Sequence, residues 1–114
     1  MNRKERVLRE LARKEITTLV NFFCERYNYT YNRIAIKNQK TRLGSCSTKK
    51  NLNFNWQITK FPRAVKEYII KHEIAHLVHQ NHSKNFWEEV EMLDPNYREN
   101  HKWIRNHAHK YIKY

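Results

Sequence analysis

Between residues 3 and 26, apolar side chains recur about every 3.6 positions, at Val7, Leu8, Leu11, Ile16, Leu19, Val20, Phe22 and Phe23. Glu and Arg fill the gaps, and neither Gly nor Pro interrupts the run, so it predicts one long amphipathic helix. From Tyr31 to Lys37 the period changes to two. Ile34 and Ile36 alternate with Arg33, Ala35 and Lys37, as in a half-buried strand. Leu52, Phe54 and Trp56 alternate in the same way with Asn53, Asn55 and Gln57. Ser47 to Asn51 reads as the polar turn joining this run to a short strand around Gly44 to Cys46, which gives an expected antiparallel sheet of about three strands. Gly44 is the only glycine, and a glycine in a strand marks a bulge or a close approach by another group.

Pro62 suits the first turn of a second helix. Val65, Tyr68, Ile69, Ile70, Ile74, Leu77 and Val78 carry that helix to about Gln80 and make it apolar on most sides, which predicts a buried central element packed on the first helix. Ser83 is placed to cap a helix bearing Phe86, Trp87, Val90 and Leu93, and Asp94-Pro95 ends it. A last helix runs from about Asn96 to Tyr111. The reading is an α+β fold in one domain, residues 1–114, with two C-terminal helices and no internal repeats.

Composition narrows the setting. The opening residues, MNRKERVLRE, lack an apolar leader core, and no apolar run is long enough to span a bilayer, so a soluble, cytoplasmic protein without membrane partners is expected. Cys24 and Cys46 are too few for a disulfide framework and read as reduced thiols. The net charge is +12, and no acid occurs between Glu25 and Glu67. Segment 26–66 also holds Tyr27, Tyr29, Tyr31, Phe54 and Trp56. Cations among aromatics suggest contact with nucleic acid or another polyanion, the alternative being a solvated basic face. Nothing in the sequence fixes an oligomeric state.

The chemistry concentrates in residues 72–82. His72, Glu73 and His76 form an H-E-x-x-H box, and His82 follows six residues later. Residues four apart on an α-helix lie about 40° apart around its axis, so both rings project from one face and reach a single ion. Glu73 then stands beside water in the ion's open position. A helix does not bring a residue at i+10 back to that ion, so the chain must turn before His82, and Gln80-Asn81 suits the turn. Three neutral imidazoles and one open position describe a catalytic zinc, one Zn²⁺ per chain, with Glu73 as the base for amide hydrolysis. Other ligands stay open: His79, a Glu of the next helix (Glu88, Glu89 or Glu91), or the Cys46 thiolate. His101, His107 and His109 read as surface or structural residues.

The runs RLGSCSTKKNLNFNW, FPRAVKEYIIKHEIAHLVHQNHSKNFWEEV and DPNYRENHKWI resemble, in this order, the YgjP-like metallopeptidases, HExxH proteins related to the SprT-like group. The resemblance covers residues 42 to 104 and implies a zincin-like fold, metal ligation by His72, His76 and His82, and catalysis by Glu73. It also implies that the strand at Gly44, Ser45 and Cys46 runs near the metal. Leu43 stands where the family usually has Trp, and the β-rich segment that usually precedes the long helix is not expected here.

Two further functions compete with a zinc metallopeptidase acting on peptides or proteins. One is a nucleic-acid-binding module with a structural zinc, which has no use for Glu73 beside an open position. The other is a metal-dependent hydrolase of a non-peptide substrate, for which no Gly-rich phosphate loop or similar signature is present.

Overall fold

The computed structural model describes residues 1–38 and 42–108. The chain folds as α1 (Arg3–Tyr27), β1 (Arg33–Lys37), β2 (Gly44–Cys46), β3 (Asn51–Asn55), a 3-10 turn (Trp56–Lys60), α2 (Arg63–Ala75), α3 (Lys84–Leu93) and α4 (Tyr97–His107). No helix among these residues is long and apolar enough to cross a membrane. The expected extension of the last helix to Tyr111, together with His109, lies outside the described residues.

The Asn2 side chain caps α1 by accepting from the Glu5 N–H, and left-handed Asn28 closes its far end. Its core face is Ala12, Ile16, Val20, Phe23 and Cys24. Val7, Leu8, Leu11 and Phe22, counted with the apolar stripe from sequence, are exposed. The helix is as predicted, but only its later turns lie over the core, where Lys66 Nζ of α2 meets Glu15 Oε1 at 2.8 Å.

The sheet has the order β1-β3-β2 and is mixed. β2 and β3 pair antiparallel through the Ser47–Lys50 turn, with Lys50 left-handed and its N–H bonded to the Ser47 carbonyl. β1 pairs with β3 in parallel, Ile34 beside Leu52 and Ile36 beside Phe54, which corrects the expected all-antiparallel arrangement. Alternation reports which side chains face the core and is silent on strand direction.

β3 also stops at Asn55, two residues before the end of the predicted alternation. The Asn55 side chain accepts from the Gln57 N–H and starts the 3-10 turn, which turns Trp56 into the core. Phe54 is fully buried, and Tyr27, Tyr29 and Tyr31 pack against the same core, so the aromatics of the basic segment build the interior.

α2 is the central element, buried at Val65, Tyr68, Ile69, Ile70, His72, Glu73, Ile74 and Ala75. It ends at Ala75, about five residues before the predicted end near Gln80. His76, Leu77 and Val78 donate instead to the carbonyls three residues back, tightening the chain. Ser83 caps α3 as expected, accepting from the Phe86 N–H, and Asp94 caps the turn into α4 by accepting from Asn96 N and Asn100 Nδ2.

Candidate active site

The last turn of α2 delivers His72 and Glu73 into the interior, 5 % and 4 % exposed, and His76 follows directly. The tightened turn after Ala75, held by Gln80 Nε2 donating to the His76 carbonyl, swings the chain back so that exposed His82 faces the helix end. His76 Nδ1 donates to the His79 carbonyl at 2.9 Å, which leaves Nε2 as its lone-pair nitrogen. That Nε2 lies 3.2 Å from His82 Nε2. One ring nitrogen from each of His72, His76 and His82 falls within 4.8 Å of the other two. Nitrogens bound to one tetrahedral zinc at about 2.0–2.1 Å stand about 3.3 Å apart, so a single ion fits this donor set.

Burial, then the neighbouring His76, His82 and His101, pushes the His72 pKa down to about 3. The ring is therefore neutral at physiological pH, and no proton competes for its lone pair. Burial drives the Glu73 carboxyl the other way, to about 8, against the opposing charge of Arg42. A carboxyl with a pKa near neutrality is matched to giving and taking protons.

α3 forms the floor. Phe86 stacks on His76 at 4.2 Å and meets His72 and His82 edge-on at 5.0 Å each. Trp87 stacks on His82 at 5.9 Å. β2 forms the opposite wall as an edge strand of the sheet, held by Asn55, whose backbone N–H donates to the Leu43 carbonyl and whose Nδ2 donates to that of Arg42. Gly44 of this strand stands directly over Glu73. The open cleft has a volume of about 630 Å³ and is lined by β2, Arg42, the three histidines, Glu73, Gln80, Trp87 and His101.

The YgjP-like family, described as a metallopeptidase domain, matches residues 2–107. The chain belongs to this family. Solved metallopeptidase structures share its fold. The crystal structure of the metallopeptidase zymogen of Methanocaldococcus jannaschii jannalysin is similar with a TM-score of 0.69 and 28% identity, covering 80% of this chain and 94% of that one. The metallopeptidase zymogen of Pyrococcus abyssi abylysin is similar in fold, with a TM-score of 0.70 and 22% identity over 82% of this chain and 95% of that one. No curated protein matches the chain at a significant level.

Of the alternative ligands read from sequence, His79, Glu88, Glu89 and Glu91 take other places, whereas Cys46 shares the cleft with the three histidines. The His79 side chain points to Glu89, Nε2 to Oε1 at 3.6 Å, while Glu89 also accepts from the Tyr29 hydroxyl. Glu88 pairs with Lys84 at 3.9 Å, and Glu91 is exposed. Cys46 lines the cleft as a free thiol whose pKa burial and the Glu73 charge raise to about 11. His107 is exposed and rests against the Trp103 ring.

Two residues were missed. His101, read as surface or structural, lines the cleft, and Tyr68, read as a core residue, lies between it and His72. Tyr68 was open to recognition, because it precedes His72 by the same four residues that separate His72 from His76. His101 carries no such signal, since only the docking of α4 brings it to the site.

Proposed function

We propose that this YgjP-like domain is a zinc-dependent metallopeptidase in which His72, His76 and His82 hold one Zn²⁺ and Glu73 is the general base. The observation that carries the reading is the convergence of three imidazole nitrogens beside a buried carboxyl whose pKa burial raises to about 8. When bound in such a site, zinc polarises a carbonyl oxygen and lowers the pKa of water toward about 7. Glu73 accepts a proton from water as the water oxygen bonds to the amide carbon, and passes it to the amide nitrogen as the C–N bond breaks, giving a carboxylic acid and an amine. Phe86 and Trp87 hold the imidazoles in place and keep bulk water from their undersides. An extended peptide pairs its main chain with the β2 edge, a mode that makes side-chain preference broad.

The same reading gives segment 26–66 a supporting role, attracting acidic proteins or proteins held on nucleic acid by charge alone. Phe54 and Trp56 are buried and Tyr27, Tyr29 and Tyr31 half-buried against the core, so charge carries this role more than stacking. Absence of binding to DNA, RNA and polyacidic peptide at low salt removes this role.

The deciding experiment pairs elemental analysis with peptide-library hydrolysis, using the parent chain, His82→Ala and Glu73→Gln. The expected result is one zinc per parent chain, its loss in His82→Ala, and a zinc-loaded but inactive Glu73→Gln. A Glu73→Gln protein as active as the parent sinks the mechanism. No zinc uptake sinks the metal site.

A further inference from the structure

Tyr68 is completely buried, and its hydroxyl oxygen lies 3.4 Å from His72 Nδ1 and 3.2 Å from His101 Nδ1. Both imidazoles meet the phenol ring edge-on, at 5.9 and 6.3 Å. Three polar groups from α2 and α4 thus form a chain ending at the first histidine of the HExxH box. A hydroxyl has one proton to donate, so the two contacts cannot both be donations by Tyr68. A neutral His72 that offers Nε2 to an ion carries its proton on Nδ1. In that state Nδ1–H donates to the Tyr68 oxygen, and the Tyr68 proton is directed to His101 Nδ1. The reverse order has Tyr68 donating to His72 Nδ1, which moves the His72 proton to Nε2 and blocks it as a ligand.

We propose that Tyr68 and His101 are positioning residues that hold His72 in its ligating tautomer, with His101 Nδ1 accepting the Tyr68 proton and so drawing it away from His72. The consequence for zinc rests on the metal site proposed above, whereas the proton order is a property of the metal-free protein. Outer partners of this kind commonly change metal affinity by about 10- to 100-fold.

The test has two arms. The first reads the His72 tautomer from imidazole ¹⁵N shifts in metal-free protein at pH 8. The parent is expected to carry the proton on Nδ1, and His101→Leu to shift it toward Nε2. The second measures Zn²⁺ affinity by competition with a chromophoric chelator. Tyr68→Phe and His101→Leu are each expected to bind about tenfold or more weakly. His101→Gln, which retains an acceptor, is expected to recover most of the loss, and the double variant is expected to be no weaker than Tyr68→Phe alone. Parent His72 protonated on Nε2 overturns the proposal, as do single-variant affinities within twofold of the parent or additive losses in the double variant. If the parent takes up no zinc, the metal site fails on its own, and the tautomer arm still decides the proton order. Since His101 is partly exposed, its variants remain informative even if Tyr68→Phe does not fold.

Discussion

Gly44 and Glu73 are in contact across the cleft. A Cβ at position 44 would sit 3.1 Å from Glu73 Cγ and 3.3 Å from its Oε2, and also 3.1 Å from the Asn53 carbonyl oxygen. The absent side chain is therefore a spatial requirement of the carboxylate. Gly44→Ala is expected to displace Glu73 by a few tenths of an ångström, destabilise the fold by about 1–3 kcal/mol, and lower kcat about tenfold or more with metal content retained. Peptide hydrolysis measured alongside elemental analysis checks this, and unchanged kcat refutes it.

Glu73 also governs stability on the alkaline side. Its folded pKa is raised from 4.5 to about 8, so its favourable contribution is complete below about pH 4.5 and is lost as pH rises toward 8. Metal-free Glu73→Gln, which has no charge to bury, is expected to match the parent near pH 4.5 and exceed its stability at pH 9. Urea unfolding in chelator at the two pH values measures this difference.

His72 sets the acid side. Its folded pKa falls from 6.5 to about 3, so the neutral buried ring contributes fully above pH 6.5 and progressively less as pH drops toward 3. Metal-free His72→Leu is expected to lose less stability between pH 6.5 and 4 than the parent. Parallel acid profiles for the two proteins refute the assignment.

Glu89 couples the loop after α1 to the turn that carries His76, through Tyr29 on one side and His79 on the other. Burial, reinforced by the bond to Glu89, raises the Tyr29 pKa, so the phenol remains a donor. Glu89→Ala leaves that partly buried hydroxyl without its acceptor and is expected to cost about 1–3 kcal/mol. Because the His79 backbone carbonyl still holds His76, zinc affinity is expected to fall less than tenfold. A loss as large as that of His82→Ala would instead make Glu89 a ligand.

The sequence made the helices legible because their periodicity is local: α1 and α3 begin at residues whose side chains cap them. It did not show which turns of α1 are covered, since Val7 and Leu11 have the same apolar character as buried Ile16. The apolar run through Leu77 and Val78 looked like continuing helix, whereas the geometry that returns His82 to the site requires α2 to stop at Ala75. The HExxH spacing made His72 and His76 readable as a pair on one helix face. The cleft's other wall was readable only as a strand near the site, and the Tyr68–His101 contact joins residues 33 positions apart, beyond any local pattern.

The early end of α2 gives the three histidines unequal tethers. His72 and His76 are buried at the helix end, whereas His82 is exposed on the connection to α3. An ion at the proposed site is thus held by two donors fixed in the core and by one on an exposed connection. Release then requires only that residues 78–82 swing outward, with buried Leu77 and the rest of the core in place. Exchange with a chelator should therefore proceed far faster than global unfolding, at a rate set by the mobility of the five residues 78–82.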